Sequence, residues 1–267
     1  MPPSTAGPGR GRRAAPVIVV AHRGASAYAP ENTLSALRLA RLHGADMAEI
    51  DVRQTADGAF VVVHDPTLRR TTDVAEVYPD RRSLRVADFT LAEIRRLDAG
   101  SWFGDAFAGE RVPTLEEALA VLRECGLGAL VELKVERRDP EMRRRLADRL
   151  NADSHWRRGQ GRLILQSFDW VTLRAVAEAV PGLHTAVLGK TYGRLGLRRI
   201  ARYARQIHPH HLRVTAPYVR HAHAQGLALF GWTANNDTAI RRLIRDGVDG
   251  IISDYPDRVA AHRLSAV

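Results

Sequence analysis

Cysteine is almost missing from this 267-residue chain; Cys125 is the only one, which excludes an internal disulfide framework. It closes a helical pattern that begins at Leu115 and reads as a small buried side chain. Long apolar runs are missing as well. The longest near the start, Val17 to Ala21, opens directly into His22-Arg23-Gly24, whereas a membrane-crossing helix needs ~18 apolar residues. The run is also too short for a secretory h-region, and no cleavage-site pattern precedes it, so a cytoplasmic protein is expected. Lysine is scarce, at positions 134 and 190 only, and nearly every cation is arginine. No Gly-rich fingerprint follows the first strand, which disfavours a doubly wound nucleotide-binding sheet.

What is present is the composition of a globular protein, 45% hydrophobic and 26% charged. A net charge of +10 raises the question of nucleic acid or anionic lipid. The basic residues are spread along most helices, as in Arg143-Arg144-Arg145 and Arg241-Arg242, without one aromatic-lined stripe. No nucleic-acid partner is therefore expected, although a positive field would help draw in an anionic substrate.

Residues 1–15 are Pro, Gly, Ser and Arg without periodicity and are read as a disordered basic tail, leaving 16–267 as one domain. From Val17 onward, β-rich runs alternate with helical patterns. Strands are expected at 17–21, 47–53, 59–63, 128–134, 162–167, 184–188, 206–208, 227–232 and 250–253. Helices are expected at about 33–43, 114–125, 139–151, 169–179, 193–204, 215–225, 235–246 and 256–263. Alternation this regular predicts parallel βαβ units closing into a TIM (β/α)8 barrel. Nine strand candidates compete for eight places, and the short 206–208 is the weakest. The segment 66–113 is one long connection without a clear strand, of the kind that walls a substrate pocket.

Polar residues interrupt these strands in a pattern. Glu49 and Asp51 are spaced i, i+2 and share a face opposite Ile50 and Val52. Two carboxylates at the exit of a buried strand repel each other and lose solvation, so they need a cation or a proton between them. Glu132 and Lys134 repeat the spacing on another apolar run. A single such carboxylate is as easily explained by an arginine partner; three at strand ends together are not. With no cysteine nearby they form a hard oxygen site suited to one divalent cation, Mg2+ or Ca2+. His22 and His64 follow apolar runs and are placed at strand exits on the same side of the barrel, a natural acid–base couple. Arg23 and Lys134 could neutralise a phosphate oxygen. The histidine-rich stretch His208, His210, His211, His221 and His223 is not read as a metal site, because no carboxylate accompanies it.

These residues resemble the glycerophosphodiester phosphodiesterase family over nearly the whole chain after residue 15. The likeness rests on AHRGASAYAPENTLSA (21–36), AEIDVRQTADGAFVVVHDPTLRRTT (48–72), VELK (131–134), QSFDW (166–170), GWTANN (231–236) and GVDGIISDYPD (247–257), in that order. Ser253 stands where the family more often has threonine, a change that keeps the hydroxyl. The resemblance implies a TIM-barrel enzyme that cleaves glycerophosphodiesters to glycerol 3-phosphate and an alcohol. Glu49, Asp51 and Glu132 would hold the cation, His22 and His64 would be the acid–base pair, and Arg23 and Lys134 would contact phosphate. It further implies that Glu31 orients His22 or another group behind the site, and that Phe168 and Trp232 line the glycerol pocket.

His22 is taken as the base and His64 as the acid; the nucleophile is water or the substrate's own glycerol hydroxyl. The rival enzyme readings are a lysophospholipase D and a phosphatidylinositol-type phospholipase, which would need a hydrophobic lip on 66–113. The apolar residues there are scattered, which leans towards a soluble substrate. A basic anion-binding protein without catalysis would have no need of His22 or Glu49 and would bind in a salt-sensitive way.

Overall fold

Each of the long crossover helices before α8 opens on a side chain that can satisfy its free amides. Thr33 caps α1 (Leu34–Leu42), Thr114 and Glu117 form a reciprocal capping box on α4 (Leu115–Glu124), Asp139 caps α5 (Pro140–Ala152) and Asp169 caps α7 (Trp170–Ala179). Thr215 and Asn236 do the same for α9 (Ala216–His223) and α10 (Asp237–Asp246). Such caps contribute ~1 kcal/mol each and fix where the chain turns from strand to helix. The remaining helices are α2 (Val74–Val77), α3 (Leu91–Ile94), α6 (Ser154–Arg157), α8 (Arg194–Ile200) and α11 (Pro256–Ser265). The structure, a computed structural model, describes residues 16–136, 138–157 and 162–265; the tail expected over 1–15 lies outside them.

Nine strands form the sheet: β1 (Ile18–Ala21), β2 (Met47–Gln54), β3 (Phe60–Val62), β4 (Gly128–Leu133), β5 (Leu163–Ser167), β6 (His184–Gly189), β7 (Gln206–Pro209), β8 (Ala228–Gly231) and β9 (Gly250–Ser253). Eight run parallel in the order β1-β9-β8-β7-β6-β5-β4-β2, and a β1–β2 pairing closes the ring. The expected TIM barrel is therefore formed, with helices between successive strands. The surplus strand is not 206–208. That short run pairs in parallel with both neighbours, through Ile207↔Val187 and Ile207↔Leu229. It is β3 that lies off the ring, antiparallel to the far end of β2 through Val52↔Val62 and Gln54↔Phe60. Only the turn around Asp57-Gly58 separates the two strands, too little chain for a parallel crossover.

The period-2 alternation of the strands sorts their residues into two cores. Inside the barrel pack Val20, Met47, Leu130, Ile164, Phe230 and Ile252. Between strands and helices pack Val19, Ala48, Ile50, Val52, Val131, Leu133, Leu165 and their helical partners. The segment 66–113, expected as a long strandless connection that walls a substrate pocket, is a folded cap with its own small core and contributes no residue to the lining of the cavity at the barrel mouth. Leu68, Val74, Val86, Phe89, Ile94 and Leu97 pack there against Val61 and Val63 of the β3 arm. The apolar residues that looked scattered thus divide: Val74 and Phe89 are buried, while Trp102 and Phe103 face solvent.

Candidate active site

One step beyond the interior apolar layer, the inward positions of β2, β4 and β5 turn polar. On β2, Met47 is followed inward by Glu49 and Asp51; on β4, Leu130 is followed by Glu132 and then Lys134; on β5, Ile164 is followed by Gln166. The β2–β4 register sets Asp51 beside Glu132, and the β4–β5 register sets Glu132 beside Gln166. Oxygen atoms of Glu49, Asp51 and Glu132 come within 4.8 Å of one another. Above them lies a cavity of about 150 Å³ lined by His22, Arg23, Glu49, His64, Glu132, Lys134, Gln166, Phe168, Leu188, Trp232 and Ile252. Eight of the ten residues singled out in the sequence meet there. Asp51 and Glu31 do not line it.

Burial leaves the three carboxylates with different charge states. Glu49 and Asp51 are each only 1% exposed. Burial, reinforced by the Asp51 charge, pushes Glu49 up to about 8, and the same two causes raise Glu132. Asp51 goes the other way, down to about 2, because Lys134 and Arg23 outweigh the cost of its burial. Lys134 Nζ lies 3.0 Å from Asp51 Oδ1 and 2.5 Å from Glu132 Oε1, and Arg23 Nε lies 3.2 Å from Asp51 Oδ2. Asn32 Nδ2 donates to Asp51 Oδ2 at 2.8 Å. Asp51 Oδ1 has the Lys134 ammonium beside it but no well-directed hydrogen bond, so this buried acceptor keeps a lone pair on offer. Three hard oxygen donors, one with a lone pair to spare and one reluctant to ionise, fit a divalent cation. A cation must displace the proton held near Glu49. Its affinity is therefore expected to rise about tenfold per pH unit and to level off above about pH 8. Calorimetric titration with Mg2+ and Ca2+ across pH 6–9 reads this directly, and a flat profile would exclude the buried carboxylates as ligands.

Both histidines are held from behind. His22 Nδ1–H donates to Asp254 Oδ1 at 2.6 Å, and Asp254 in turn accepts from Ser26 Oγ at 3.1 Å and Asn235 Nδ2 at 2.5 Å. His64 Nδ1–H donates to Asp65 Oδ1 at 2.7 Å. Each ring thereby keeps Nε2 for other work. His22 follows β1, as expected. His64 reaches the same mouth for another reason: β2 overshoots the ring, β3 returns antiparallel, and the returning arm brings His64 back to it. Although burial works against the charged ring, Asp254 and Glu49 raise the His22 value; burial lowers that of His64 despite Asp51.

Arg23 adopts a left-handed backbone, φ 56°, and its amide donates to Glu49 Oε2 at 3.0 Å. A non-glycine residue in that region is a strained conformation kept where surrounding structure demands it. Gly24 beside it, φ 81°, has no alternative, since a Cβ would stand 2.6 Å from the Ala36 carbonyl carbon. Glu31 holds this Arg23 rather than His22, at 2.9 Å, and also receives Arg70 at 2.7 Å. Arg70 reaches Asp65 as well, at 2.6 Å. Phe168 and Trp232 line the cavity edge to face, ring centres 5.9 Å apart.

Sequence reasoning missed Asp254, Asp65, Asn32, Asn235, Gln166 and Arg70. All six lie inside the motifs that carry the family resemblance, but no spacing rule marked them out as site residues. His208 is sealed in the barrel, stacked on Phe230 and held at about 3 by burial, hence neutral. Its Nδ1 lies 2.8 Å from Gln166 Oε1 and its Nε2 2.9 Å from the Gln206 amide. A neutral ring donates once; donation to Gln166 Oε1 leaves the Gln166 Nε2 to donate to Glu49 at 3.4 Å.

The model of the glycerophosphoryl diester phosphodiesterase family matches residues 22–258. The chain belongs to this family. A glycerophosphodiester phosphodiesterase of Caldanaerobacter subterraneus is 35% identical over 246 residues, covering 90% of this chain and 95% of its own. One from Bacillus subtilis is 34% identical over 260 residues, with 90% and 84% covered. Among solved structures, a phosphodiesterase of Oleispira antarctica in complex with the product sn-glycerol-3-phosphate superposes with a TM-score of 0.83 at 31% identity. That match covers 94% of this chain and 97% of the other. Among glycerophosphodiester phosphodiesterases, then, this chain is matched along its barrel and its cap together.

Proposed function

We propose that this domain, residues 16–267, hydrolyses glycerophosphodiesters to sn-glycerol 3-phosphate and an alcohol, with one divalent cation, Mg2+ or Ca2+, held by Glu49, Asp51 and Glu132. The observation that carries the reading is the convergence of these three carboxylates beneath two histidines whose outer nitrogens are each anchored by a carboxylate. When bound, the cation would polarise a phosphoryl oxygen. Arg23 and Lys134 line the cavity and supply N–H groups to the non-bridging oxygens, where charge grows in the transition state.

His22 serves as base. Its Nδ1–H is held by Asp254, which fixes the ring and supports the imidazolium that forms when Nε2 takes a proton. His64 is more open to solvent, 33% against 19% for His22, and serves as acid. The proton taken at His22 Nε2 comes from water or from the neighbouring glycerol hydroxyl, and His64 Nε2 delivers one to the departing oxygen; attack by the hydroxyl leaves a cyclic phosphate that water opens in a second step to glycerol 3-phosphate. Leu188, Phe168 and Trp232 give the cavity an apolar wall against which the glycerol carbons pack. Phe168 is 53% exposed at its lip, which favours lysophospholipids as a second substrate class.

A release assay tests the reading: glycerophosphodiesters and lysophospholipids are incubated with Mg2+, Ca2+ or EDTA, and glycerol 3-phosphate is measured. Release from the diesters is expected with a cation and only background with EDTA. Full release in EDTA would remove the cation from the scheme, and no release from any diester would remove the substrate class.

A further inference from the structure

Between Ala179 and Asn236 the chain contains no aspartate or glutamate, yet it holds eight cations, Lys190 and seven arginines. One sector of the barrel, β6 through β8, thus carries eight of the molecule's ten net positive charges. Arginine is spread along the whole chain; the asymmetry lies in the acids, which is why counting basic residues hides it. All eight cations are exposed. Flanking elements have arginines paired with carboxylates, as in Arg138–Asp169, Arg174–Glu178 and Arg242–Asp246. Among the described residues none of the eight has such a partner.

The same sector exposes aliphatic side chains at the mouth of the barrel. Leu195, second residue of α8, is 79% exposed, and Leu212, in the turn after β7, is 74% exposed. Val171 at the start of α7 and Phe168 after β5 continue the edge. Since β5, β6 and β7 are neighbours in the ring, these residues share one side of the C-terminal rim, next to Lys190, Arg194 and Arg213. Free cations interleaved with exposed leucines match an anionic bilayer, which offers acidic headgroups and, just below them, hydrocarbon. A nucleic acid would satisfy the arginines but leave Leu195 and Leu212 in water.

We propose that the rim formed by Lys190, Arg194, Leu195, Leu212 and Arg213 docks on an anionic phospholipid bilayer, with the cavity mouth turned towards the lipid. The remaining arginines of the sector extend the attracting field beyond the contact. The inference concerns docking alone and does not depend on which diester is cleaved.

Sedimentation with vesicles tests it. The full chain is expected to pellet with phosphatidylcholine vesicles containing about 30 mol% phosphatidylglycerol, to stay in solution with phosphatidylcholine alone, and to release as salt rises. Each rim cation removed should weaken binding roughly fivefold, so Lys190→Gln/Arg194→Gln/Arg213→Gln together should cost about a hundredfold. Leu195→Asp/Leu212→Asp should also detach the protein, and all variants should keep an unchanged circular dichroism spectrum and normal hydrolysis of a soluble diester. The proposal is overturned by failure of the wild type to pellet or by binding that survives both sets of changes. It is equally overturned by duplex RNA binding that needs the same cations and ignores the leucines while vesicles are not bound.

Discussion

Glu49→Gln is expected to lower cation-dependent turnover by roughly three orders of magnitude, because a cation clamp supplies several kcal/mol of transition-state stabilisation. The same change should leave the cation-free protein as stable as the parent. Burial already pushes Glu49 up to about 8, so at neutral pH an uncharged amide replaces a group that is itself mostly uncharged. Asp51→Asn should lose activity to a similar extent and stability as well. Arg23 and Lys134 lean on the Asp51 charge in a site that is almost dry, and breaking a buried pair costs roughly 3–5 kcal/mol. Comparing kcat and thermal midpoints of the two variants separates cation binding from structural charge balance. Equal melting of both would show that Asp51 is not the counterion of the cluster, and near-normal turnover of Glu49→Gln would remove Glu49 from the cation site.

The histidines should respond differently to the leaving group. Alanine at either His22 or His64 is expected to reduce kcat by about 10²–10⁴-fold on a diester with an alkyl alcohol. On a diester whose leaving group is a nitrophenol, no proton need be delivered, so His64→Ala should recover most of its loss while His22→Ala stays impaired. The reverse pattern would exchange the two roles, and recovery of both would exclude His22 as the base.

The carboxylate cluster was legible because period-2 alternation is a strong rule: once 47–53 and 128–134 are strands, Glu49, Asp51 and Glu132 must share the inner face. The crossover helices α1, α4, α5, α7, α9 and α10 were legible for a similar local reason, their capping residues being written immediately before them, whereas the short α2, α3 and α6 were not. The strand at β3 was legible but its place off the ring was not, because Phe60-Val61-Val62 has the composition of any buried strand. The deciding fact was the short Asp57-Gly58 turn ahead of it, which permits only a hairpin. The groups that anchor the histidines and Arg23 were hidden for a deeper reason. Asp254 lies 232 residues from His22 in sequence, and Arg70 finds Glu31 only because the cap folds over the rim. No local pattern encodes such meetings.

The route by which His64 arrives sets how the molecule can fail. His22 grows out of the barrel wall, whereas His64 hangs on an arm whose side chains Val61 and Val63 are buried in the cap's separate small core. Parts with separate cores can open separately, at a lower cost than global unfolding. A loosened cap would release one face of the arm that carries His64, while Phe60 and Val62 still hold the other to the barrel core, and would leave the carboxylate cluster intact. Under the roles proposed for these residues, a molecule with its cap open would keep its cation site and yet be idle.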